Sequence, residues 1–308
     1  MNKMIWPRPL KKGDKVAITA TSSPVGSEKL HASIESVKFL GLEPVVMPSC
    51  HLHHGYLAGP DSQRAADINS AFADDDIKGI FCLRGGYGTT RILPMLDFQV
   101  IKDNPKVFIG YSDISSLHFN INRKCSLITF HGPMPTTDYR LHEGFTNDSL
   151  RNALFDSYRH TQIANPPGEK MRVLRSGSAC GMLTGGNLSL MAGTLGSQYE
   201  IDTRGKILFI EDVDEKPFRI DKMLTALSLA GKFRDCAGII LGTFERCEEN
   251  HHPTLSLEEI FQEVVLPWNK PTILNLRAGH IYPQSTLPMG AEVSLDACPD
   301  NVDICVLK

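Results

Sequence analysis

Val107-Phe108-Ile109-Gly110-Tyr111-Ser112-Asp113-Ile114 is the stretch on which the reading of this chain turns. Its first four residues are apolar or small and predict a short buried strand. Ile114, Leu117 and Ile121 then recur on one helical face, so a helix follows at once. A strand that turns sharply into a helix exposes the turn side chain at the strand's C-terminal edge. It also leaves the first helical N–H groups unpaired. Ser112 stands at that turn. It reads either as the helix N-cap, a role serine favours, or as a nucleophile. Ile114 occupies the place of the second glycine in an α/β-hydrolase elbow. The nucleophile reading needs a base, an orienting acid and an oxyanion site from elsewhere in the chain.

Working outward, Ile77–Leu83 predicts another buried strand, and Arg84-Gly85-Gly86-Tyr87-Gly88-Thr89 follows it directly. Three glycines in four positions allow close backbone approach and positive φ. No Gly-Lys-Ser/Thr follows and the dinucleotide fingerprint does not fit, so an oxyanion donor is the better reading of the loop. Lys15–Ala20 predicts the opening strand. Thr21-Ser22-Ser23-Pro24 at its end is either a ligand edge or a turn with caps. Leu30, Ile34 and Val37 mark a helix that Gly41 stops, and Pro44–Met47 a second strand. Asp61 caps a helix carrying Ala65, Ile68 and Phe72. His51-Leu52-His53-His54 lacks a carboxylate or cysteine at motif spacing and reads as a solvated loop. Ser126–Phe130 predicts a strand ending in His131-Gly132-Pro133-Met134, where His131 is one possible base. Strands, helices and glycine loops alternate, which predicts a doubly wound α/β domain.

The chain has 308 residues, enough for two domains, with 42% hydrophobic and 22% charged residues and a formal net charge of −3. Nothing in that balance favours nucleic acid or an anionic membrane. No apolar run approaches the roughly 20 residues of a spanning helix, and no signal peptide is read at the N-terminus. The expected location is cytoplasmic. Eight cysteines are scattered without Cys-x-x-Cys spacing. Cys82 and Cys125 fall within strand-like runs and Cys180 just before a glycine turn, and they read as small buried thiols.

Ile163-Ala164-Asn165-Pro166-Pro167-Gly168-Glu169-Lys170 is a linker by composition. The expected division is 1–160 for the nucleophile domain, 161–175 for the linker and 176–308 for a second domain. There, Leu183-Thr184-Gly185-Gly186-Asn187-Leu188 reads as a glycine turn with a helix behind it. Lys206–Ile210 predicts a strand, and Glu211 is the first residue after it, so its carboxylate is held by rigid structure. Most of Glu211–Glu215 reads as a solvated acidic loop. Ala237–Gly242 and Pro271–Asn275 predict further strands. His280 follows the last of these after Gly279 and is the best base, since imidazole titrates near working pH. Leu287–Gly290, Val293–Leu295 and Val302–Val306 read as short antiparallel strands of a mixed, β-rich domain.

Taken in order, Arg84-Gly85-Gly86-Tyr87-Gly88, Gly110-Tyr111-Ser112-Asp113, Gly185-Gly186-Asn187-Leu188, Glu211-Asp212-Val213 with Arg219-Ile220-Asp221, and Gly279-His280 resemble the L,D-carboxypeptidases, serine peptidases that trim murein peptides. The resemblance implies a flavodoxin-like N-terminal domain, a smaller β-rich C-terminal domain and a site in the cleft between them. It implies a triad on Ser112, Glu211 and His280, and an oxyanion hole from the main-chain N–H groups of Gly86 and Asp113. The implied substrate is a cytosolic murein tetrapeptide, from which terminal D-alanine is released at an L,D bond without a metal or cofactor. Homodimers are also implied. The free carboxylate of such a substrate needs a cation or N–H donors, and Arg84 is named for that place. Its other reading is a salt bridge at the sheet edge.

Three alternatives stand beside this. A class within the same family cleaves peptide-nucleotide antibiotics and carries an aromatic after the catalytic glutamate. Here the only aromatic in that loop is Phe218. A peptide-binding module without chemistry would leave Ser112, Glu211 and His280 at strand ends by coincidence. An ordinary α/β-hydrolase would use His131 as base.

Overall fold

The computed structural model describes residues 3–142, 144–156, 158, 162–249 and 252–307. In chain order the strands are β1 (Lys15–Thr19), β2 (Glu43–Val46), β3 (Ile77–Cys82), β4 (Val107–Gly110), β5 (Thr129–His131), β6 (Arg172–Arg175), β7 (Gly177–Asn187), β8 (Ile207–Val213), β9 (Gly238–Glu245), β10 (Thr272–Leu274), β11 (Leu287–Met289), β12 (Glu292–Cys298) and β13 (Asn301–Val306). The chain forms two compact units, Met1–Arg159 with Thr286–Gly290, and His160–Ser285 with Ala291–Lys308.

The first unit holds a six-stranded sheet in the order β11-β5-β4-β3-β1-β2. β1 to β5 are parallel neighbours in that order. Helices such as Ser27–Phe39, Asp61–Ala73 and Ser115–Cys125 connect them. β4 is buried throughout and β3 nearly so, as befits parallel strands covered on both faces. Phe72 of the helix Asp61–Ala73 stacks on Phe108 of β4 at 6.2 Å. The strand order changes direction between β1 and β3. In open α/β sheets, ligands bind outside the carboxyl ends of the strands at such a reversal.

β11 corrects the expectation that Leu287–Gly290 would serve the second domain. It lies antiparallel to β5, with Leu287 opposite His131 and Met289 opposite Thr129. All three of its residues are buried, and Asn122 Nδ2 donates to the Met289 carbonyl at 3.0 Å. Without it, β5 would present an open edge. A three-residue apolar strand carries no local mark of the sheet it will join.

The second unit holds a seven-stranded mixed sheet, ordered β13-β12-β7-β8-β9-β10-β6. β7 to β10 run parallel, while β12, β13 and β6 pair antiparallel. Of the expected linker, residue 161 lies outside the described residues, as does residue 160 at the end of the first expected domain; Arg172–Arg175 form β6. Gly185 and Gly186 are not a turn. They lie inside β7, opposite Phe209 and Ile210 of β8. Gly185 has φ +120°, and a Cβ there would fall 1.9 Å from the Phe209 carbonyl, so close backbone approach is what requires glycine. Cys82 is buried in β3, and Cys125 is buried at the end of a helix rather than in a strand. Cys180 is exposed, because it lies in the half of β7 whose side chains are not covered. Among the described residues no helix is long and apolar enough to cross a membrane.

Candidate active site

β4 ends at Gly110, Tyr111 is extended, and Ser112 opens a single 3-10 turn before the helix Ser115–Cys125. Ser112 has φ +67°, a left-handed conformation that costs a non-glycine residue about 1–2 kcal/mol. The N-cap positions fall on Tyr111 for this turn and on Ile114 for the helix behind it, so the N-cap reading does not account for Ser112. The turn is held from behind. His118 is fully buried, with Nε2 2.9 Å from the Gly110 carbonyl and Nδ1 2.9 Å from Thr129 Oγ1. Burial lowers the His118 pKa to about 4, so the ring is neutral at working pH. A carbonyl only accepts, which places the proton on Nε2.

The loop after β3 closes on this serine. A Cβ at Gly85 would lie 2.8 Å from Ser112 Cβ and 2.9 Å from Ser112 Oγ. Gly86, at φ +125°, lies against the loop after β1, where a Cβ would fall 2.1 Å from Ser23 Oγ. Neither the Gly86 nor the Asp113 N–H donates to a main-chain carbonyl elsewhere in the described residues. The Asp113 side chain is fully buried. Its Oδ2 accepts from Ser22 Oγ at 2.6 Å and from the Thr89 N–H at 2.9 Å. Burial pushes the Asp113 carboxyl above the usual carboxylate range, against the pull of those hydrogen bonds.

In the second unit, Glu211 lies inside β8 rather than just beyond it, and it is fully buried. The β8–β9 register shifts beside it: Ile210 pairs with Leu241 but Asp212 with Phe244, so Glu211 faces two residues of β9, Gly242 and Thr243. The extra residue lies in β9, in an irregularity of the kind that re-aims side chains. Glu211 Oε2 lies 2.7 Å from His280 Nδ1. The carboxylate accepts, so Nδ1 carries the proton and Nε2 is the basic nitrogen. Burial alone would lower the His280 pKa; the charge and hydrogen bond of Glu211, with the charge of Asp212, outweigh it and hold it above the ordinary histidine value. Asp212 corrects the solvated reading of its loop, being 2% exposed. It accepts from Asn187 Nδ2 at 2.9 Å, the Ser189 N–H at 3.0 Å and the Val213 N–H at 2.8 Å. Burial, with Glu211 beside it, raises its pKa to about 6.

The structure therefore pairs Glu211 with His280 in one unit, and sets Ser112, Gly86 and Asp113 on converging loops of the other. Arg84 is exposed beside that loop cluster, its Nε donating to the Gly85 carbonyl at 3.1 Å and its Nη1 to that of Pro24 at 3.4 Å. Among the described residues it forms no ion pair, so the salt-bridge reading fails. His131 is fully buried in β5 and packs edge-on to Tyr111. His51, His53 and His54 are exposed. Sequence reasoning missed Arg64, which is fully buried and bonded to the Thr21 and Gly88 carbonyls. Its mark was there: a charged residue in register with Ile68 and Ala71 on an apolar helix face.

Residues 16–132 match the LD-carboxypeptidase N-terminal domain, and residues 180–295 match the LD-carboxypeptidase C-terminal domain. The chain belongs to the LD-carboxypeptidase family. It is 40% identical to a "Probable murein peptide carboxypeptidase" of Bacillus subtilis, over 94% of this chain and 91% of that protein. It is 31% identical to the "Murein tetrapeptide carboxypeptidase" of Pseudomonas aeruginosa, over 92% and 93%. In three dimensions it resembles MccF solved in complex with glutamyl sulfamoyl guanosine, with a TM-score of 0.89, 25% identity and 98% of each chain covered. Both halves of this family member carry part of the candidate chemistry, and the two family matches span Ser112 on one side and Glu211 with His280 on the other.

Proposed function

We propose that this chain is a serine-type carboxypeptidase that releases terminal D-alanine from murein tetrapeptides by hydrolysing an L,D bond. The observation that carries the proposal is the buried Glu211 carboxylate 2.7 Å from His280 Nδ1, an arrangement that prepares Nε2 to take a proton. His280 Nε2 takes the hydroxyl proton of Ser112 as Oγ attacks the scissile carbonyl. Glu211 stabilises the imidazolium that forms. The oxyanion is received by the Gly86 and Asp113 N–H groups, each such donor being worth about 3 kcal/mol of barrier. His280 then protonates the leaving amine of D-alanine, and water resolves the acyl-enzyme by the same route in reverse. Arg84, with no carboxylate partner among the described residues, is assigned to the free terminal carboxylate of the substrate. The strand order β2-β1-β3-β4-β5 supports the flavodoxin-like reading of the nucleophile domain. The reaction is placed in the cytoplasm and the enzyme read as a homodimer, which sedimentation would test.

The deciding experiment is D-alanine release from purified murein tetrapeptide by the native chain and by Ser112→Ala. Release by the native chain alone is expected. Release by neither would sink the substrate assignment, and equal release by both would sink the nucleophile. A second reading, cleavage of an aminoacyl-nucleotide, is favoured by the TM-score of 0.89 to MccF; Phe218, the one aromatic after Glu211, lies in the first turn of the helix Pro217–Leu229 and not in the loop. Turnover of such a compound without D-alanine release would put that reading first.

A further inference from the structure

Arg64 sits on the helix Asp61–Ala73 among buried apolar residues and is itself fully buried. A buried guanidinium is costly unless paired and hydrogen-bonded, and a well-packed apolar side chain would often serve packing as well or better. Arg64 spends its hydrogen bonds on two loops. Nη1 donates to the Thr21 carbonyl, after β1, and to the Gly88 carbonyl, after β3, the latter at 3.0 Å, while Nη2 pairs with Asp61. The backbone is shaped to receive it: Gly88 has φ +142°, and a Cβ there would fall 2.6 Å from Nη1. Asp113 grips the next residue of each loop, through Ser22 Oγ and the Thr89 N–H. Thr21-Ser22 and Gly88-Thr89 are thus each held twice, the carbonyl by the Arg64 guanidinium and the donor by the Asp113 carboxyl oxygen. Gly85 and Gly86 lie just ahead of the second held pair, against Ser112 and Ser23 respectively.

We infer that Arg64 is a positioning residue for the oxyanion hole: it fixes the loops that aim the Gly86 and Asp113 N–H groups, without touching substrate. The inference rests on the reaction proposed above. Its test is D-alanine release by the native chain, Arg64→Met, Arg64→Lys and Asp61→Asn. Binding of a boronic-acid peptide analogue, whose tetrahedral adduct occupies the oxyanion position, is measured alongside. Arg64→Met should lower kcat about 100-fold, the typical cost of a small misplacement, with KM within about threefold. Affinity for the boronic acid should fall in parallel, while affinity for the product peptide holds. Arg64→Lys should not rescue, since an ammonium lacks the planar fork that serves three acceptors together. Should the Arg64 variants fail to fold, Asp61→Asn carries the test, with the same kcat-not-KM signature at about tenfold. A folded Arg64→Met with kcat within threefold of native, or with the loss confined to KM, would overturn the inference alone. No release by the native chain would overturn the reaction, and this inference with it.

Discussion

A Cβ on Gly279 would lie 2.6 Å from Oε2 of Glu211 and 2.7 Å from its Cδ, so the residue before His280 is bare to make room for the carboxylate that His280 meets. Gly279 also has φ +93°. Gly279→Ala therefore strains the backbone and pushes the acid off the imidazole. Turnover should fall at least about 100-fold, and denaturant unfolding should show a loss of about 1–3 kcal/mol. Turnover near native would separate the Glu211–His280 pair from the chemistry.

Ser112 opposes stability to function. At φ +67° it pays for a conformation that glycine adopts freely, so Ser112→Gly should unfold at higher denaturant, by about 1 kcal/mol. Ser112→Ala keeps the strain and should show no such gain. Both should lose D-alanine release by roughly 10⁴-fold or more. A Ser112→Gly chain less stable than native would mean that the turn is not strained.

Glu211→Gln tests the orientation of the base. Native kcat/KM should fall as pH drops through the His280 pKa, with the acid limb above the usual histidine value of about 6.5. Removing the carboxylate charge leaves burial as the main influence, which lowers that pKa. The limb should then move to lower pH while the plateau falls roughly 10³- to 10⁴-fold. A pH–rate profile of both chains checks this, and an unmoved limb would assign the titration to another group.

Asp212 makes stability depend on pH in an unusual direction. Its folded pKa of about 6 lies above the ordinary aspartate value of 3.8, so the native state holds a proton that the unfolded state has lost. This contribution is fully present below about pH 4 and disappears as pH rises through about 6. Its size is on the order of 3 kcal/mol. His280, also raised, extends the decline above pH 6.5. Asp212→Asn should flatten the fall in melting temperature between pH 4.5 and 6.5, as read by calorimetry at matched ionic strength. An unchanged slope would show that Asp212 is not the group responsible.

Several local features were legible along the chain. Val107–Gly110 is buried as expected, and Ile114 at the end of the turn and Leu117 and Ile121 on the helix behind it are completely buried. Periodicity reports such things because a strand's or helix's buried face depends on neighbours in sequence. The glycine loop could be placed, but only the folded chain brings Gly85 against Ser112 and Gly86 against Ser23. Asp212 reads as one acid among several; its burial comes from Asn187 and Ser189, more than twenty residues earlier.

The amino-acid order alone marked the buried strand Val107–Gly110, the turn at Ser112 and the apolar face behind it. It also carried the ordered motifs that mark the family. Tertiary structure decided the rest. It put Leu287–Met289 beside β5, placed the extra residue of β9 opposite Glu211, and set Arg64 beneath two loops. These choices rest on contacts between residues far apart in the chain, with close approach at Gly185, Gly88 and Gly279 settled by the space that remains once the sheets have packed. Local sequence encodes propensity and pattern, whereas the fit of one backbone against another exists only in the folded chain.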